Sequence, residues 1–216
     1  LLVGLVALAS TQAFAEQLVY DTAEDDHDGV LIGETKSDFL TSNSDADPHG
    51  ALIADINGDG YGDVIAGAPS YGSNGRIYVR FGEEELSGET DLASGVDFTV
   101  TGSSTSKNIS AAMAAGDIND DGIADLVIGA PDSASLSGAV YIVFGSASLS
   151  GDLDLGSTSA DVVITGPSGL AMLGNDVAIG DVNGDGWDDV VIGSHRNHNG
   201  GTAIAGFAYV LLGGCD

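Results

Sequence analysis

The nine residues from Asp55 to Asp63, DINGDGYGD, return as DINDDGIAD at Asp117 to Asp125 and as DVNGDGWDD at Asp181 to Asp189, spaced by 62 and then 64 residues. A motif that recurs at such a period requires the same local structure at each copy, so the chain is a row of similar units. What surrounds the motif recurs as well. An apolar run follows each copy, as VIAGAP, LVIGAP and VVIGSH, then a Gly-rich gap, then GRIYVRFG, GAVYIVFG or GFAYVLLGG. DFTVTG, ending at Gly102, and DVVITG, ending at Gly166, each lie 15 residues before the next acidic loop, and GVLIGE, with Gly33, looks like an earlier copy set 22 residues ahead of Asp55.

These runs are short, rich in Val, Ile, Tyr and Phe, and fenced by Gly, Asp or Ser, which is the pattern of strands. Ile77-Tyr78-Val79 and Val140-Tyr141-Ile142-Val143-Phe144 are apolar throughout, so both of their faces are expected to be buried between neighbouring sheets. Four strands per unit, repeated every sixty-odd residues with almost no helix signal, predict an all-β chain of four-stranded blades, a β-propeller. The expected division is 1–15 a signal peptide lacking its first residues, 16–50 an acidic lead-in holding the outer strand of a preceding blade, and repeats at 51–102, 103–166 and 167–216, the last incomplete. About three blades do not close a ring, since four would take roughly 250 residues. The expectation is therefore a partial propeller, a fragment of a longer gene product or a half-ring that closes by pairing with another chain.

The acidic motif offers oxygen at alternate positions. In the first copy the donors are Asp55, Asn57, Asp59, the Tyr61 carbonyl and Asp63; in the second Asp117, Asn119, Asp121, the Ile123 carbonyl and Asp125; in the third Asp181, Asn183, Asp185, the Trp187 carbonyl and Asp189. Calcium takes six to eight oxygens, and Gly60 allows the sharp bend that wraps such donors about one point, whereas magnesium prefers a smaller octahedron that keeps water. An EF-hand would carry Glu at its twelfth position, where Ala66, Ile128 and Ile192 stand, so the ninth-position Asp is expected to replace it. A single Asp, Asn and Gly-rich hairpin that binds nothing has the same composition. Three copies in register point to about three calcium sites, structural in role because no base or nucleophile stands beside them.

The repeats resemble the FG-GAP repeats of integrin alpha-subunit β-propellers and their bacterial relatives. Gly116-Asp117 and Gly180-Asp181 match the start of the family's loop, and Gly67-Ala68-Pro69 and Gly129-Ala130-Pro131 match its close. Ala54 replaces the Gly before Asp55, Ser194-His195 replaces Ala-Pro, and the leading Phe-Gly survives only as Leu173-Gly174. The resemblance implies a seven-bladed extracellular propeller in the parent family, calcium in loops on one face and macromolecular ligands bound by other loops. Some phospholipases of the family carry such a propeller beside a separate catalytic domain.

Charge and composition agree with cationic partners. The formal charge of -28, from 33 acidic against 5 basic side chains, repels nucleic acid and anionic lipid. The opening LLVGLVALASTQAFA closes on a small-x-small pattern and predicts export, with a mature chain from about Glu16 that has no membrane span. One cysteine, Cys215, makes no internal disulfide, which leaves metal as a source of stability outside the cell. His195 and His198 lie in a Gly and Asn-rich loop without a carboxylate or Cys partner, His27 and His49 stand alone, and EDDHDG at Glu24 to Gly29 reads as a solvated acidic linker. Asn108-Ile109-Ser110 is a glycosylation sequon, and Trp187, the one tryptophan, lies inside an acidic loop, so no aromatic platform for sugars is expected. The common catalytic signatures are absent. The sequence thus predicts an exported calcium-binding propeller module for protein binding or cell adhesion, not an enzyme, with a secreted or cell-surface location and an extracellular protein or cell-surface ligand as partner. The other reading is the non-catalytic propeller of a secreted hydrolase.

Overall fold

The structure is a computed structural model that describes residues 29–32, 50–84, 88–158, 160–167, 170–196 and 206–214. The signal run at 1–15, His27, His49, His198, Cys215 and nearly all of EDDHDG lie outside the described residues. Strands run in the order β1 (Gly29–Ile32), β2 (Ala51–Ala54), β3 (Asp63–Ala68), β4 (Arg76–Arg80), β5 (Gly88–Asp91), β6 (Phe98–Thr101), β7 (Ala112–Gly116), β8 (Asp125–Ala130), β9 (Ala139–Val143), β10 (Gly151–Asp154), β11 (Val162–Thr165), β12 (Leu173–Gly180), β13 (Asp189–Ser194) and β14 (Phe207–Leu211).

Three antiparallel blades result. The first is β2-β3-β4-β6, the second β7-β8-β9-β11, and the third holds β12-β13-β14 among the described residues. This is the arrangement of a partial β-propeller. The apolar runs bury both faces, as their composition requires. In the second blade Leu126, Ile128, Tyr141 and Val143 join a cluster with Ile65, Ile77, Val79 and Val100 of the first. Their neighbours Val127, Val140 and Ile142 point the other way, into a cluster with Leu173, Val177, Val190 and Ile192 of the third. A strand period of two therefore operates inside a run with no polar residue in it. Each side chain of this kind stabilises the fold by about 1.5–3 kcal/mol, and a blade alone would leave half of them wet.

Close approach of the sheets explains one glycine. A Cβ on Gly129, in the middle of β8, would stand 2.1 Å from the Gly174 carbonyl oxygen of the third blade. Only a residue without a side chain lets the two backbones pass at this distance.

The structure adds an element to the expected four strands per unit. Between its third and fourth strands each full blade sends out a short strand that pairs in parallel with an outer strand preceding that blade: β5 with β1, and β10 with β6. GETD and GDLD carry too few apolar residues to read as strands from sequence. β10 holds on by other means: Leu153 and Leu155 pack against the core between the first two blades, and Asp152 Oδ1 accepts hydrogen bonds from the Thr99 and Thr101 hydroxyls at 2.6 and 2.7 Å.

Candidate metal centre

Each acidic loop joins the first strand of a blade to the second, so all three occupy the same end of the fold. The reason they turn so tightly is internal. Asp55 Oδ1 accepts the Gly58 and Asp59 N–H groups at 2.7 and 3.1 Å, and Oδ2 accepts that of Gly60 at 2.8 Å. Asp181 repeats this with Gly184, Asp185 and Gly186, and Asp117 with Asp121 and Gly122. The fourth position of the loop is left-handed in every copy: Gly58 at φ 74°, Gly184 at φ 79° and, in the second loop, Asp120 at φ 58°. Asp tolerates that region better than most residues, which is why the second loop keeps the shape without the glycine.

The third and fifth positions interlock. Asn57 Oδ1 accepts the Asp59 N–H at 2.9 Å while its amide donates to Asp59 Oδ2 at 2.8 Å, and Asp59 Oδ1 accepts the Tyr61 N–H at 2.8 Å. Asn119 with Asp121 and Ile123, and Asn183 with Asp185 and Trp187, make the same bonds.

The ninth position differs from the rest because it is buried. Asp63, Asp125 and Asp189 are 0% exposed. One oxygen of each reaches back to the start of the loop, accepting from Ile56, Ile118 or Val182, and the other accepts from Gly82, Gly145 or Gly213 at the end of the third strand. This carboxylate brackets the loop to its own blade. Burial pushes the Asp63 and Asp125 carboxyls above the usual carboxylate range, against the pull of those two N–H donors. At the exposed first position the Gly186 N–H, with those of its neighbours, holds the Asp181 carboxyl below it.

The loops also hold one blade to the next. The Asp55 and Ile56 carbonyls accept from Ala124 and Ser146 of the second blade at 3.0 and 2.9 Å, and the Ile118 carbonyl accepts from Gly214 of the third at 3.2 Å. Asp188, which the motif reading passed over, accepts the Asp117 N–H at 3.1 Å. Asp97 and Asp161, ahead of the outer strands, were passed over too; they accept from Phe81 and Phe144. The signal for them was an Asp standing just before both DFTVTG-type strands.

The donor set is oxygen throughout, which fits a hard cation. A carboxylate oxygen bound to one N–H keeps a second lone pair, so the amide bonds and a cation do not compete for every site. Among the described residues no three Asp, Glu, His or Cys side chains converge as a ready cage. Of the other residues singled out from sequence, His195 lies just after β13, and the Asn108 amide donates to Asp132 Oδ2 at 3.3 Å.

The repeat unit described here, first strand, acidic loop, second strand, third strand, is the unit that the FG-GAP repeat profile matches, at residues 48–79, 111–143 and 173–211. The chain belongs to the FG-GAP repeat family. FG-GAP relatives include bovine phosphatidylinositol-glycan-specific phospholipase D, 38% identical over 162 residues that cover 68% of this chain and 18% of that protein. Integrin alpha-PS5 of Drosophila melanogaster is 36% identical over 157 residues, covering 68% of this chain and 14% of the integrin. Integrin alpha-4 of Xenopus laevis is 34% identical over 155 residues, 65% of this chain and 14% of the integrin. The FG-GAP chain thus spans less than a fifth of the length of the relatives it matches. No helix among its described residues is long and apolar enough to cross a membrane.

Proposed function

We propose that this FG-GAP chain is an exported propeller module that binds calcium in its three acidic loops and mediates protein binding or cell adhesion, the calcium being structural. The observation that carries the reading is the threefold identity of the loops: fifteen donor positions in three sets, with the same backbone turn beneath each. A divalent hard cation offsets two of the three carboxylate charges of a loop and so eases the repulsion that loosens it. Because each loop is also bonded to a neighbouring blade or packed beside one, ordering the loops orders the stack. A cation at a hundred times its dissociation constant adds about 2.7 kcal/mol per site, provided that the unfolded chain binds none. Similarity to two integrin alpha subunits supports an adhesive role on the outside of cells. No residue of the chain is assigned a catalytic task.

The match to a phospholipase D favours a second reading, in which the same module accompanies a hydrolase domain on a longer polypeptide. Thermal melts in millimolar calcium and in chelator test the metal: the midpoint rises with calcium, and an unchanged midpoint removes it. Capture of cell-surface protein by immobilised chain, with calcium and with chelator, tests the binding role, and the gene's full reading frame decides whether a hydrolase domain adjoins it.

A further inference from the structure

The eighth residue of the acidic motif is Gly62 in the first copy, Ala124 in the second and Asp188 in the third, so along the chain it looks free to vary. Between blades it is not free. At both junctions the eighth residue of one loop meets the first residue of the loop before it. Ala124 of the second blade donates its N–H to the Asp55 carbonyl at 3.0 Å. Asp188 of the third blade, half-buried, brings a carboxylate to the same place, and its Oδ2 accepts the Asp117 N–H at 3.1 Å.

The residue in front of each loop varies in step. A Cβ on Gly116 would stand 2.6 Å from Asp188 Oδ2 and 2.6 Å from the Ile179 side chain, so this glycine leaves the room that the carboxylate fills. Before Asp55, where the next blade brings only the methyl group of Ala124, that glycine is replaced by Ala54. Two alanines therefore meet at the first junction, and a glycine meets a carboxylate at the second. The bond falls on a residue that is already committed at its other end. Asp117 turns the second loop with both of its own carboxylate oxygens, Oδ1 accepting from Asp121 and Oδ2 from Gly122. Asp188 grips the backbone of that residue from a different blade.

We propose that Asp188 is a positioning residue for the cation of the second loop, reaching across from the third blade to fix Asp117, the first donor of that loop. The inference rests on the reading of the loops as calcium sites. A group that orients a metal ligand from outside the donor set is commonly worth about 10–100-fold in metal affinity. Because the orienting group belongs to the next blade, cation binding at the second loop and docking of the third blade are linked, and each favours the other to the same extent. At the first junction Ala124 offers only its backbone, so the first loop has no such carboxylate behind it.

The test is calorimetric titration of calcium into the full chain after its metal has been removed by chelator. The unmodified chain is expected to take up an ion at each of its three loops. Asp188→Ala is expected to weaken one of those sites by about tenfold or more. Asp188→Asn keeps an oxygen that can accept the Asp117 N–H and is expected to recover most of that loss. Gly116→Ala leaves Asp188 in the chain but pushes its carboxylate aside, and is expected to weaken the same site with an unchanged circular dichroism spectrum. In an Asp121→Ala chain, whose second loop has already lost a donor, adding Asp188→Ala is expected to leave the other two sites as they were. No calcium uptake by the unmodified chain overturns the calcium reading and this inference with it. Calcium uptake that Asp188→Ala leaves unchanged overturns this inference alone, and so does a loss in Asp188→Asn as large as that in Asp188→Ala. Weakening of either remaining site in the Asp121→Ala background shows that Asp188 acts on its own loop, which also overturns it. Should Asp188→Ala not fold, Gly116→Ala decides: full affinity at all three sites overturns the proposal.

Discussion

Replacing Asp125 by Ala separates two tasks that the loop motif combines. In the structure this side chain is 0% exposed, its Oδ2 accepts the Ile118 N–H at 2.9 Å and its Oδ1 accepts the Gly145 N–H at 2.9 Å. Alanine leaves both amides without an acceptor in a buried place, at a cost of about 1–3 kcal/mol each, or about 2–6 kcal/mol together. Removing a carboxylate whose burial is unfavourable offsets part of this, so the lower half of that range is expected. At about 2–4 °C per kcal/mol for a chain of this size, the midpoint falls by roughly 4–16 °C. Because the amides belong to the chain and not to a cation, this loss appears already in chelator, and in calcium the missing donor adds to it. Asp121→Ala is the contrast: its carboxylate is exposed, and its bonds lie within the loop, so in chelator the midpoint changes little while the increment from calcium shrinks. Paired thermal or urea melts of both variants, each in calcium and in chelator, decide the matter. If Asp125→Ala matches the unmodified chain in chelator and loses only the calcium increment, the bracket reasoning is wrong.

Gly129→Ala is expected to destabilise the fold by about 1–3 kcal/mol, because the new Cβ meets the Gly174 carbonyl of the next blade at 2.1 Å; an unchanged urea midpoint would refute the close-approach argument. Acidity acts on the buried carboxylates with a definite sign. Asp63 and Asp125 have raised values in the folded chain, so each costs stability in full above its folded value, and the cost is relieved as pH falls through it. Asp181, held low, has the opposite sign: its contribution is present above the ordinary carboxylate value and is lost as pH falls through the lower folded one. In the window from neutral pH down to the ordinary carboxylate range the chelated protein therefore gains from Asp63 and Asp125 before it loses from Asp181, while calcium competes with protons for the same oxygens. Melts across that window are expected to show the calcium increment narrowing as pH falls, and a constant increment contradicts it.

The sequence by itself determined the period, the strand runs and the turn chemistry, because all three are local. A loop with Asp, Asn, Asp and Gly at fixed offsets turns on its own amides, as Asp55, Asn57 and Asp59 do with Gly58, Gly60 and Tyr61, and a run such as Val140 to Val143 has no side that tolerates water. What tertiary structure decided is everything that depends on which atoms meet across blades. The parallel pairing of β10 with β6 was not legible in GDLD, since its hold comes from the threonine hydroxyls and core of another repeat. The ninth-position Asp reads as one more oxygen donor in sequence, and only folding brings Gly82, Gly145 and Gly213 to its second oxygen from about twenty residues away. A pattern along the chain records neighbours in sequence; a buried carboxylate or a parallel pairing between repeats is defined by neighbours in space.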